Sequence, residues 1–178
     1  MITKNSNIEL KNFGKYKLVT SLNAFNNLGQ AVFVSTIKEK NKFKTILIDN
    51  KKNIVGINSF KIYENTFKGC NMNTLLNKNI HIGLGEIMRL TSIIELIENN
   101  LKKIQILSLS EAIPFHLKYK FKPINFGSES TNQIFFPKDK LTLTFDKDLL
   151  MELSVKDIKN NKSFFNNLFV KHKINYRI

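Results

Sequence analysis

Residues 86–99 carry the strongest pattern in the chain. Ile87, Leu90, Ile94 and Ile97 recur at helical spacing, and Met88 and Ile93 widen the stripe. A helix with such a stripe must bury it against another layer. Glu86 suits the positive end of its dipole, and the Asn99-Asn100 pair supplies a stop. Soon afterwards, 104–107 form a short, nearly all-apolar run, which predicts a central strand buried on both faces. Next come Ser108, Leu109, Ser110 and Glu111. Ser108 with Glu111 fits a capping box, and Ser110 is the alternative cap. Pro114 is tolerated only near a helix start, so a second helix is expected from about residue 110 to 119.

The flanking segments read mostly as strands. Residues 15–22 suit a first strand, and 24–42 fit either a short helix or a strand. Residues 43–49 and 54–63 predict a hairpin around a turn at 50–53, with a further strand at 71–77. After Pro123, strands are expected at 132–136 and 141–145, joined through 137–140. In the tail, Phe164, Phe165, Leu168 and Phe169 share a helical face, with Ser163 as a cap, and that face is expected to pack on the sheet. Strands on both sides of a helix–strand–helix unit imply a mixed α/β (α+β) chain. At 178 residues, one domain is expected over 1–178, with a core of about 15–145 and a helical tail of about 146–178.

Composition narrows the function classes. The formal net charge of +14 raises the question of a polyanionic partner. Yet the lysines are scattered, and only Arg89 and Arg177 supply the planar fork that grips phosphate in pairs of bonds. A chain rich in Lys, Asn, Ile and Phe gains such a charge by compositional drift, so a nucleic-acid partner is not expected. The single cysteine, Cys70, allows no internal disulfide and fits a reducing, cytoplasmic setting. It reads as a small buried hydrophobe rather than a nucleophile. The N-terminal residues lack an apolar signal core, and no apolar run approaches the ~18 residues of a membrane span. His81, His116 and His172 lie too far apart to suggest a metal site.

Chemistry is suggested by Ile80-His-Ile-Gly-Leu-Gly-Glu86, between an expected strand and the strongest helix. Gly83 and Gly85 allow a tight turn and a close approach to main-chain N–H groups, which with the helix end favour an anion. Alone, this is often only a turn. A second segment adds to it: Ala112-Ile-Pro-Phe-His-Leu-Lys-Tyr-Lys-Phe121, followed by Lys-Pro. Ala112, Phe115, Lys118 and Phe121 match a block that resembles the signature of the GNAT acyltransferases. The order of glycine turn, helix, strand and helix matches as well, over roughly residues 71–145.

That resemblance implies a mostly antiparallel, GNAT-like sheet flanked by helices, and acyl-CoA-dependent transfer, of acetyl above all, to an amine by direct attack. The cosubstrate would be acetyl-CoA or another acyl-CoA, with no metal. The amides of Gly83, Leu84, Gly85, Glu86, Ile87 and Met88 would hold the pyrophosphate. Main-chain groups near Leu76 and Asn77 would meet the pantetheine, and Ser108 or Ser110 would stand in for the family's strand-end Asn. His116 takes the place of the Tyr that protonates the departing thiolate; the residues leave open a general acid and a buried structural histidine. Glu64, ending an expected strand, is the candidate base. Ile80 replaces the usual polar residue of the turn, with His81 or Lys78 as substitutes, and Lys120 replaces a glycine. Arg89 can reach a phosphate or pair on the surface with Glu86, and the pair is expected. The alternative is a non-catalytic CoA-binding or partner-binding module on the same fold. The amine acceptor is left open, and a homodimer is compatible.

Overall fold

The computed structural model describes residues 17–74, 82–124 and 148–178. The expected strands at 132–136 and 141–145, and the end of the one at 71–77, lie outside them.

Five strands run in succession: β1 (Lys17–Phe25), β2 (Ala31–Glu39), β3 (Lys42–Asp49), β4 (Ile54–Tyr63) and β5 (Thr66–Thr74). Helix α1 (Leu84–Glu98) then leads to β6 (Lys103–Ser108), a 3-10 turn (Ser110–Ala112) and α2 (Ile113–Lys118). The remainder is β7 (Lys122–Pro123), β8 (Leu149–Ser154), α3 (Val155–Asn160) and α4 (Lys162–Lys171). The strands form one sheet in the order β1-β2-β3-β4-β5-β6-β8-β7. Every neighbouring pair is antiparallel except β5 and β6, whose parallel pairing requires the α1 crossover. No helix among the described residues is long and apolar enough to cross a membrane.

Local sequence explains the elements. In β3, Phe43, Thr45 and Leu47 point to the core in strict alternation. The turn at 50–53 is organised by Asp49, whose Oδ1 accepts the N–H groups of Lys51 (2.9 Å) and Asn53 (2.8 Å). Residues 24–42 resolve into the end of β1, a turn and β2. Helix α1 stops at the asparagine pair, with Asn100 in the left-handed region at φ 54°. Twelve of its fifteen residues are buried, so the helix is covered on more than the side facing β3, β4 and β5. The tail supplies part of that cover: α4 packs against α1, and Phe165, Leu168 and Phe169 are buried in the core that α1 shares with the sheet.

Other expectations need correction. Strand β6 is not buried on both faces. Ile104, Ile106 and Ser108 face the core, but Leu107 is 64% exposed, as is its β8 neighbour Leu150 at 44%. Neither Ser108 nor Ser110 caps the helix after β6. Ser108 turns its hydroxyl to the Leu109 carbonyl (3.1 Å), and Ser110 donates its backbone N–H to Asp148 (3.0 Å). Ser163 is no cap either, since α4 starts directly after Asn161. The capping serine of the tail is Ser154, which accepts the N–H of Asp157 (3.0 Å) at the start of α3.

One irregularity shapes the rest. Asn58 of β4 pairs with Met72 of β5, and Phe60 pairs with Gly69, so β5 carries one extra residue. Beside this bulge, β5 loses β6: their pairing stops at Lys68↔Gln105, although both strands run on. Gly69 stands at the parting. A Cβ there would lie 2.4 Å from Ile106 Cγ2 and 3.2 Å from the Gln105 carbonyl oxygen. Gly69→Ala should therefore lower stability by about 1–3 kcal/mol, read as a fall in the urea midpoint at unchanged slope.

Candidate functional site

Past Gly69 the gap between β5 and β6 widens into a cleft of about 690 Å³. Met72, Asn73 and Thr74 form one wall, Ile106 to Leu109 the other, and α1 and α2 contribute Gly85, Met88, Arg89, Phe115 and His116. The lining is largely apolar, with few polar groups, as in small-molecule sites.

The first turn of α1 opens toward this cleft. Gly83 precedes the helix at φ 99°, a conformation that disfavours any residue with a side chain, and no side chain caps the helix. A Cβ on Gly83 would also press on Asn27 Oδ1 at 2.8 Å. Gly85 is small for another reason: the Phe115 ring stands 3.2 Å from where its Cβ would be. Ile87 already gives its N–H to the Gly83 carbonyl (3.1 Å), and from there on the helical ladder takes the amides. The amides left open by helix geometry are those of Gly83, Leu84, Gly85 and Glu86, so Ile87 and Met88 drop out of the expected amide set. Met88 meets the cleft through its side chain instead.

Arg89 departs most from expectation. It makes no surface pair with Glu86. It is 1% exposed, its guanidinium lies 4.6 Å from the centre of the Phe121 ring, and Nη2 contacts His116 Nδ1 at 3.2 Å. Nε and Nη1 are buried without a hydrogen-bond partner among the described residues. Because a guanidinium can only donate, His116 Nδ1 accepts and Nε2 carries the proton. Burial, and then the Arg89 charge, pull His116 down to about 3, so the ring is neutral at physiological pH. Burial likewise lowers Arg89 to about 10, which leaves it charged.

Glu86 is drawn elsewhere. Its carboxylate accepts from His172 Nε2 (2.8 Å), Lys171 Nζ (2.5 Å), Lys118 Nζ (3.2 Å) and the Tyr119 hydroxyl. Burial alone would raise its carboxyl, but these hydrogen bonds, His172 foremost, outweigh that and hold it far below the usual carboxylate range. His172 is fully buried and faces the Phe25 carbonyl with Nδ1 (2.7 Å). The carboxylate thereby ties the start of α1 to α2 and to the end of α4.

Of the expected site residues, the structure brings Gly85, Met88, Ser108 and His116 together around the cleft, with Gly83, Leu84, Glu86 and Ile87 in the adjoining turn. Ser110 lies just beyond the lining. Glu64 does not join them. It sits exposed in the β4–β5 turn, at the opposite end of β5 from Met72, because the chain folds back there instead of ending a strand at a site. Leu76, Asn77, Lys78, Ile80 and His81 lie outside the described residues. Sequence reasoning placed Arg89 on the surface and missed Met72 and Asn58. The available signal was an arginine next to the apolar stripe of a helix covered on both sides.

Because the folded value of Glu86 lies below the ordinary 4.5, its stabilisation is complete above about pH 4.5 and fades as pH falls toward the folded value. Glu86→Gln should cost about 3 kcal/mol at pH 7, and the gap to wild type should narrow below pH ~4.5 in thermal melts taken across pH.

No protein-family model matches the sequence, and no curated protein matches it. Solved structures do. The ribosomal-protein-S18-alanine N-acetyltransferase of Escherichia coli superposes with a TM-score of 0.50 at 14% identity, covering 66% of this chain and 72% of that one. The spermidine N-acetyltransferase of Vibrio cholerae, solved with CoA and spermine, gives a TM-score of 0.50 at 13% identity, covering 68% and 70%. The mixed, mostly antiparallel sheet, the parallel pair that parts and the helix that starts beside the gap belong to one architecture: this chain has the fold of the GNAT N-acetyltransferases.

Proposed function

We propose that the chain is an acyl-CoA-dependent N-acyltransferase. The observation that carries this is the parting of β5 from β6 directly beside the open amides of α1. An extended pantetheine arm needs backbone groups freed from pairing, and such groups occur where two neighbouring strands separate. A pyrophosphate needs converging N–H donors, and Gly83, Leu84, Gly85 and Glu86 offer them. The amine lone pair attacks the thioester carbonyl. The C–N bond forms, the C–S bond breaks, and the proton shed by nitrogen reaches the sulfur through water.

His116 acts here as a neutral donor. Its Nε2–H can hydrogen-bond the sulfur as charge builds there, with the Arg89 cation behind the ring. An imidazolium that hands over its own proton is not populated at neutral pH when the ring is pulled to about 3. His116→Phe should lower kcat by about 100-fold while leaving desulfo-CoA binding within about twofold. The kcat/KM profile of the wild type should show no limb near pH 6.5 from this residue.

One observation favours a second reading, CoA binding without transfer. Arg89 and His116 are the titratable residues lining the cleft, so no carboxylate among the described lining residues takes the amine proton. Thermal melts with acetyl-CoA and desulfo-CoA, on wild type and on Gly85→Trp, test the common part. A saturable rise in Tm that vanishes in the variant is expected, and no rise with either ligand overturns both readings. Mass-spectrometric detection of acylated product over a panel of amines then separates them.

A further inference from the structure

Arg89 is the one feature of the cleft that the transfer reading leaves unused in part. A guanidinium this deeply buried is costly unless an anion faces it. Nη2 is spent on His116 at 3.2 Å and on Met72 Sδ at 3.9 Å. Among the described residues Nε and Nη1 have no hydrogen-bond partner and Arg89 makes no ion pair, the Phe121 ring being a further contact. Glu86, three residues away on the same helix, has both oxygens engaged by other groups. The charge therefore awaits something from outside the described chain, and it lines the cleft.

We propose that Arg89 receives a carboxylate carried at the far end of the acyl group, so that the preferred donor is a CoA thioester of a short dicarboxylic acid. This rests on the acyl-CoA reading above. Position argues for the acyl group. The phosphates of CoA are already met by the open amides at 83–86, whereas Arg89 stands further along α1, against the ring that faces the sulfur. A guanidinium touching that ring is within the span of a short acyl chain. Met72, Met88, Phe115 and Ile106 of the same cleft offer an acyl chain apolar contact, and Arg89 is the one cationic side chain in the described lining to meet its carboxylate. No bond is made or broken at this subsite; the transfer step is as given above.

Calorimetric titration with succinyl-CoA and butyryl-CoA isolates the charge, because the two acyl groups have the same number of carbons. The wild type should bind succinyl-CoA about tenfold or more tighter than butyryl-CoA. Arg89→Met, and separately Arg89→Lys, should shrink that ratio, with circular dichroism confirming that each variant is folded. If neither folds, the wild-type ratio decides alone. A ratio near one in the wild type overturns the inference and leaves the acyl-CoA reading standing. An equal loss for both thioesters in folded Arg89→Met overturns it too, and would mean that Arg89 serves the thioester itself. If none of the CoA compounds binds, desulfo-CoA included, the acyl-CoA reading fails and this inference falls with it.

Discussion

Two strands that begin as hydrogen-bonded neighbours and then part give this molecule its cleft. The parallel register of β5 and β6 holds over Thr66↔Lys103, Phe67↔Ile104 and Lys68↔Gln105 and no further. An extra residue in β5 at that point turns the strand, and Gly69 allows the last close approach before it turns. Unpaired strand edges inside a fold are normally a liability, since buried N–H and C=O groups need partners. A fold that keeps such a gap, and starts a helix beside it without a capping side chain, has groups to offer a ligand.

The surrounding structure holds that opening in shape. Aromatic rings brace the sheet where the strands still pair, with Phe43 and Phe60 packed on Phe67 at ring separations of 5.0 and 5.2 Å. On the other side, α1 is fixed by charge. Glu86 draws two lysines, a histidine and a tyrosine from α2, from the end of α4 and from the residues next to them. The outcome is a division of labour within one helical turn. The backbone of Glu86 faces the open end, and its side chain anchors the helix to the tail.

The central unit was legible in the sequence because its signals are local. The stripe from Ile87 to Ile97, the asparagine stop and the position of Pro114 each act over a few residues, and each corresponds to an observed element. Gly83 was recognisable as a turn for the same reason, whereas Gly85 lies inside the first turn of α1. What failed depended on distant partners. Leu107 looked like core within its apolar run, but it lies on the face of β6 opposite Ile104 and Ile106, beside the exposed Leu150 of β8. Arg89 looked like a surface residue three positions after an acid, but its place is set by α2 and Phe121 folding over it. Glu64 seemed to end a strand at a site; the next strand begins two residues later and carries the chain back. The sites of Leu76 and Asn77 fall in the undescribed stretch between β5 and α1.

The contacts of His172 bear on how the chain assembles in time. Its backbone carbonyl accepts the Phe25 N–H at 2.9 Å, its Nδ1 meets the Phe25 carbonyl, and its Nε2 meets Glu86. One buried ring therefore joins residues 25, 86 and 172, with 147 positions between the first and the last. During synthesis the hairpins of β1 to β5 can form early, since their pairings are between sequence neighbours. The end of β1 and the start of α1 also meet directly, Asn27 giving its N–H to the Ile82 carbonyl (2.9 Å), but the second tie through His172 forms only once residue 172 has emerged, because loop closure over such distances must come before its contacts are gained.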